Sequence, residues 1–181
     1  MLLREKNSVF IIAEGGVNHD GSLESAYRLV DIAKEANVDA VKFQTFKPGE
    51  LTGKYTPYAG YIDSEYGCSR DELTAHLALS FDDFRLLRSY CEEKGIIFLS
   101  TPDGYESLNF LSDDLNIPVI KIGSTEVTNH DFIQTIATKK REVILSTGLS
   151  TLGEVEKAVE ILFKKLYLLS GLSTHTNEAQ Y

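Results

Sequence analysis

Short runs of apolar and β-branched residues recur along this chain, separated by longer segments whose apolar positions return at helical spacing. The runs occupy 9–13 (VFIIA), 40–44 (AVKFQ), 96–100 (IIFLS), Val119–Ile122 (VIKI), 143–146 (VILS) and Leu166–Leu169 (LYLL), and each has the length of a strand. Between the first two, Leu23, Ala26, Tyr27, Val30, Ile32 and Ala33 form one helical stripe that ends near Asn37, a residue tolerant of the left-handed cap conformation. Ser80-Phe81-Asp82-Asp83 reads as a helix N-cap, Phe84, Leu87 and Tyr90 continue an apolar stripe, and Gly95 supplies the stop. Shorter helices are predicted over 105–115, 131–139 and 152–165. From Pro48 to Arg70 the pattern breaks into a stretch rich in Gly, Tyr, Thr and Pro, too long for an ordinary connection between strand and helix and therefore a candidate functional excursion.

Strands alternating with helices define an α/β protein with a parallel sheet, which is either doubly wound or a TIM-type (β/α) barrel. The strand ends separate the two. A dinucleotide fold concentrates its signal in one glycine-rich turn, yet the first strand here leads into Glu14-Gly15-Gly16-Val17-Asn18, which lacks the GxGxxG spacing. Polar groups instead follow nearly every strand, as in a barrel whose reactive residues are shared among several loops. The expectation is one barrel domain over residues 1–181 that is incomplete, since a typical barrel has eight strands in about 250 residues.

Charge and cysteine usage narrow the partners. The formal net charge of −9 leaves no basic face for a nucleic acid or an anionic membrane, although it says nothing about lysines converging in one cleft. Cys68 and Cys91 match no metal or redox spacing. The polar opening residues, and the lack of any long apolar run, predict a cytoplasmic protein.

Lys42 and Gln44 alternate with Val41 and Phe43, so both lie on one face of the second strand near its end. Lys121 sits likewise between Ile120 and Ile122. One lysine in an apolar strand can be a snorkelling or ion-paired side chain, whereas two suggest an anion site. Ser146-Thr147-Gly148 closes the fifth strand before a helix and reads either as a plain capped turn or as part of a phosphate cradle with Ser124. Glu14 and Glu126 end the first and fourth strands, where they are either solvated or oriented to bind a polyol or transfer protons. Thr101-Pro102 is a turn or a carboxylate-binding hydroxyl, and His19, His76, His130 and His175 have no metal-ligand spacing.

The segments AEGGVNHDGSLESA, DAVKFQTFKPGEL, FLSTP, IKIGSTEVTN and VILSTGLSTLGEVEKAVEIL, in this order, strongly resemble the N-acetylneuraminate (sialic acid) synthases and their legionaminate, pseudaminate and spore-coat polysaccharide relatives. The resemblance covers most of the chain. It implies a (β/α) barrel that condenses phosphoenolpyruvate with an N-acylated hexose such as N-acetylmannosamine, releases phosphate, and uses a divalent metal, manganese or magnesium. Carried over motif by motif, Lys42, Lys121, Ser124 and Ser146 would hold the phosphate, and Gln44 and Thr101 would sit near the carboxylate. Glu14 and Glu126 would face the sugar. A homo-oligomer is expected.

The chain departs from the family pattern at Asp103 and Thr125, where phenylalanine and glycine are usual, and at Ser170-Gly171, where His-Cys is usual. His175 aligns either with a sugar-contacting tyrosine or, if a strand and helix are skipped, with a metal ligand. On the first alignment the metal's histidines and the small C-terminal sugar-binding domain fall outside this chain. Two other readings stay open: a non-catalytic half-barrel that binds a ligand or partner, and a Schiff-base aldolase using Lys42 or Lys121.

Overall fold

In a computed structural model, which describes residues 9–51, 70–162 and 166–169, six parallel strands form one sheet. They are β1 (Ile12–Gly16), β2 (Ala40–Phe46), β3 (Ile97–Asp103), β4 (Val119–Ile122), β5 (Glu142–Ser146) and β6 (Leu166–Leu169), hydrogen-bonded in chain order. Doubly wound sheets reverse strand order at a switch point, and this sheet does not. The helices are α1 (Leu23–Glu35), α2 (Arg70–Leu77), α3 (Phe81–Lys94), α4 (Tyr105–Asn109), α5 (His130–Thr138) and α6 (Leu152–Leu162).

The two faces of the sheet bury different things. Val41, Phe43, Phe98, Ile120, Ile122, Val143 and Leu145 join residues of the helices, among them Val30, Phe84, Leu87, Phe132 and Ile136, in one large core. Ala40, Leu99, Val119 and Ile144 form a separate small cluster on the opposite face, with Phe10, Ile12 and Ile97 packed against it. Helices outside and a narrow apolar interior inside are the layers of a TIM-type barrel, of which this chain supplies part. Among the described residues no helix is long and apolar enough to cross a membrane.

Local chemistry explains where the helices begin and end. The Ser22 hydroxyl accepts from the Ser25 N–H at the start of α1, and at α3 Ser80 and Asp83 form a reciprocal capping box. Gly95 ends α3 at φ 65°, and Asn37 follows α1 at φ 55°, both in the left-handed region expected of them. The Tyr27 and Tyr90 rings pack at a tilt of 35° with centroids 4.3 Å apart, and Asp31 accepts from both the Tyr90 hydroxyl and Lys94, which docks α1 on α3.

Three expectations need correction. The first strand begins at Ile12 rather than Val9, because pairing with β2 starts at Ile12 opposite Ala40, and Val9 lies in solvent, 82% exposed. The third strand runs on to Asp103, since Thr101, Pro102 and Asp103 keep pairing with Gln44, Thr45 and Phe46. The helix expected over 105–115 is α-helical only to Asn109 and then widens into a π-type turn, Phe110–Asp114. There Ser112 bonds back to the Leu108 carbonyl at 2.7 Å while Arg141, reaching from the start of β5, takes the Ser112 carbonyl at 2.7 Å. Residues 163–165 of the last expected helix lie outside the described residues, as do Cys68 and His175.

Candidate functional site

Strand alternation places Lys42 and Gln44 on the interior face of β2, above Ala40, and places Thr101 and Asp103 on the same face of β3, above Leu99. Lys121 of β4 stands two residues past Val119, and Ser146 of β5 two past Ile144. The interior is therefore stratified, with hydrocarbon below and polar groups above, toward the C-terminal ends of the strands. Both lysines are only 8% exposed.

Each lysine has its own bonds. The Lys42 ammonium pairs with Glu14 at 2.8 Å and donates to the Thr101 hydroxyl at 3.3 Å. Glu14 faces Lys42 directly across the β1–β2 ladder and is half exposed, whereas its partner lysine is buried. Lys121 donates to the Ser146 hydroxyl at 2.5 Å and to the Ile122 carbonyl at 2.9 Å. Burial, and then the charge of Lys42, push the Lys121 ammonium down to about 8, with Glu14 and Asp103 acting in the other direction. Two cations whose fields overlap in a dry interior form a ready anion site, because an arriving dianion relieves both desolvation and mutual repulsion.

The turn after β1 shapes the wall beside Glu14. The ladder is irregular between Glu14 and Gly16, which adopts φ 51°. A side chain at Gly15 would stand 2.8 Å from the buried Phe43 ring, so the backbone approaches closely there.

Asp103 is the feature the sequence reading treated as a departure and did not place in the site. It accepts from the Gln44 amide at 3.5 Å. Burial first, and the nearby Glu126 carboxylate second, raise its carboxyl to about 6, against the attraction of Lys42 and Lys121. Asp103 and Glu126 share a cavity of about 220 Å³ with Glu50, Tyr105, Asn129 and Phe132. Glu126 is held by the Asn129 amide at 2.7 Å, and Tyr105 meets Phe132 edge-on at 5.1 Å. Glu50 accepts the Glu106 N–H at 3.2 Å, which caps α4 from a residue far away in sequence. A larger groove, about 510 Å³, lined by Phe46, Leu79, Phe81 and Arg85, contains none of the sequence-predicted site residues.

Glu14, Lys42 and Thr101 are thus joined, as are Lys121 and Ser146, and Gln44 links to Asp103 and through its field to Glu126. Ser124 lies in a single 3-10 turn with Glu126, where its carbonyl accepts from Val127. Thr147 and Gly148 follow β5 in the loop before α6, and the Thr147 carbonyl accepts from Ser150. The start of α6 carries its own capping box: Thr151 N–H donates to Glu154 at 2.7 Å and Glu154 N–H to the Thr151 hydroxyl at 3.4 Å. A glutamate at that helix end opposes a phosphate, so the cationic half of the site rests on the lysines rather than on the helix terminus. No group of three or more His, Cys, Asp or Glu among the described residues could hold a metal ion. His19 lies in the turn between β1 and α1 and is buried at 1% exposure beside Phe43.

Comparison with known proteins follows the same lines. The N,N'-diacetyllegionaminic acid synthase of Legionella pneumophila is 40% identical over 168 residues, which cover 92% of this chain and 46% of that protein. The N-acetylneuraminate-9-phosphate synthase of Homo sapiens is 33% identical over 159 residues, covering 84% of this chain and 43% of that protein. The chain spans about half the length of the curated relatives it matches. The crystal structure of an N-acetylneuraminic acid synthetase from Leptospira borgpetersenii serovar Hardjo-bovis, in complex with citrate, superposes with a TM-score of 0.73 at 30% identity, over 90% of this chain and 53% of that one. The NeuB family model matches residues 29–180, from α1 through the lysine-bearing strands, and the chain belongs to the NeuB family.

Proposed function

We propose that this chain forms the phosphoenolpyruvate-binding part of a synthase that condenses phosphoenolpyruvate with an N-acylated hexose, giving a nonulosonic acid and inorganic phosphate. The observation that carries the reading is the pair of buried lysines on one interior face, each bonded to a hydroxyl from the next strand. Lys42, Lys121 and Ser146 would neutralise and bind the phosphate, with Ser124, Thr147 and Gly148 as further donors near the same strand ends. Gln44 and Thr101 would meet the carboxylate.

In this reaction C3 of phosphoenolpyruvate forms a carbon–carbon bond with the sugar aldehyde carbon, whose oxygen becomes a hydroxyl. Water adds at C2, and the resulting tetrahedral centre expels phosphate while its hydroxyl proton leaves to give the ketone. The lysines would stabilise the charge that gathers on the departing phosphate. Glu14 and Glu126, flanking the lysines, would orient the sugar hydroxyls and shuttle protons. The divalent metal that the resemblance implies finds no ligand cluster among the described residues, so no step is assigned to it.

A second reading has one observation in its favour, the lowered Lys121 ammonium, which is a better amine nucleophile than an ordinary lysine. The test of both uses the protein at its full natural length with phosphoenolpyruvate, N-acetylmannosamine or another nonulosonate precursor, and manganese. Phosphate release matched by nonulosonate formation is expected. Binding of phosphoenolpyruvate without turnover on any such sugar would reduce the site to a ligand-binding half-barrel, and pyruvate trapped on Lys121 by borohydride would replace the synthase with an aldolase.

A further inference from the structure

The interior face of β3 ends in a carboxylate, and that carboxylate divides the site into two regions of opposite sign. On one side stand Lys121 and Lys42, the latter paired with Glu14, so that two cations outnumber one carboxylate. On the other lies the cavity of about 220 Å³, whose charged lining among the described residues consists of Glu50, Asp103 and Glu126, with no basic group. Asp103 belongs to both, since it accepts from Gln44, the neighbour of Lys42 on the same face, and also forms a wall of the cavity.

We infer that Asp103 is a specificity-determining residue for the acceptor sugar, favouring an uncharged, hydroxyl-rich sugar and discriminating against its phosphorylated form. The inference rests on the synthase reading and deepens it. Carboxylates accept hydrogen bonds from hydroxyl and amide N–H groups, whereas a phosphate monoester brings a dianion against three carboxylates, two of them, Asp103 and Glu126, partly buried. Rejection by an unpaired like charge is a common route to selectivity, because it weakens the wrong ligand without tightening the right one. Asn129, which holds Glu126, and the Tyr105–Phe132 pair complete a lining suited to the polar and apolar edges of a sugar.

The experiment compares N-acetylmannosamine with its 6-phosphate in the full-length protein, wild type and Asp103→Asn, with phosphoenolpyruvate and manganese supplied. The wild type is expected to favour the unphosphorylated sugar by at least about a hundredfold in kcat/KM, and Asp103→Asn to shrink that ratio about tenfold. A wild-type preference for the phosphorylated sugar, or a ratio that Asp103→Asn leaves unmoved, overturns the inference while leaving the synthase reading intact. If neither sugar turns over, the synthase reading fails, and calorimetric binding of the two sugars to the phosphoenolpyruvate-loaded proteins decides the role of Asp103 by the same ratio. Acidity gives a readout that a purely structural role would not move. Protonation of Asp103, which faces Lys42, Lys121, Glu126 and Glu50, should relax the discrimination below about pH 6 in the wild type. Asp103→Asn should show only the titration of the sugar phosphate itself, which both proteins share.

Discussion

The Lys121 ammonium of β4 reaches the Ser146 hydroxyl of the adjacent β5 at 2.5 Å, and the bond holds a cation in the barrel interior where hydrocarbon lies beneath it. Such a group is costly in the free protein, and on the proposed function that cost is offset when an anion arrives, which sets stability measurably against binding.

Replacing Lys121 with methionine is therefore expected to stabilise the fold. A base held at about 8, below its ordinary 10.5, costs stability at every pH beneath 8, and the cost fades as pH rises from 8 toward 10.5. Lys121→Met should gain about 1–3 kcal/mol at neutral pH, with the gap to wild type closing near pH 10. Urea denaturation at both pH values checks this, and calorimetry should show phosphoenolpyruvate affinity lowered at least about tenfold. A destabilised variant at neutral pH would mean that the lysine's bonds outweigh its desolvation.

Gly15 gives a packing prediction. Its missing Cβ would lie 2.8 Å from Cε1 of Phe43, a ring with no exposed surface, so Gly15→Ala should cost about 1–3 kcal/mol. The double variant Gly15→Ala with Phe43→Leu should lose less than the two single losses added together, as contacting sites do in a double-mutant cycle. Additive losses would show that the contact is not the cause.

Asp103 should make stability depend on acidity. Its carboxyl is raised from 3.8 to about 6, so its contribution is fully present below pH 4 and disappears as pH rises through 6. Asp103→Asn is expected to be more stable than wild type by about 1–2 kcal/mol at pH 7, after allowance for solvent at the strand end, and equal to it near pH 4. Thermal unfolding at the two pH values measures the difference.

The parts of this site that follow strand alternation were legible before any coordinates. Lys42 and Gln44 share a face because they are two residues apart, and the same rule carries Lys121 and Ser146 inward. Asp103 escaped for a simple reason: the strand was ended at Ser100, where the apolar run stops, whereas pairing with β2 carries the ladder three residues further. Extending the alternation past Thr101 would have found it. The start of β1 shows the opposite case, since the apolar run begins at Val9 but the register with β2 begins at Ile12 and Val9 lies in solvent. Glu50 capping α4 and Arg141 anchoring the turn at Ser112 depend on contacts between residues distant in the chain, and no local pattern encodes those. The alternation also settled the class of fold, but strand order was needed to separate a barrel from a doubly wound sheet.

The small cluster of Ala40, Leu99, Val119 and Ile144 has a further consequence for the lysines above it. The side chains of that hydrocarbon layer carry no dipoles that can reorient, so it screens weakly, and the field of the two ammonium groups would be felt chiefly toward the mouth. Although the formal net charge of −9 is unfavourable to anions overall, the two lysines thereby offer them an attractive aperture among the described residues. Long-range capture of phosphoenolpyruvate would then depend on the angle of approach more than on overall charge, and salt would slow association by screening that aperture.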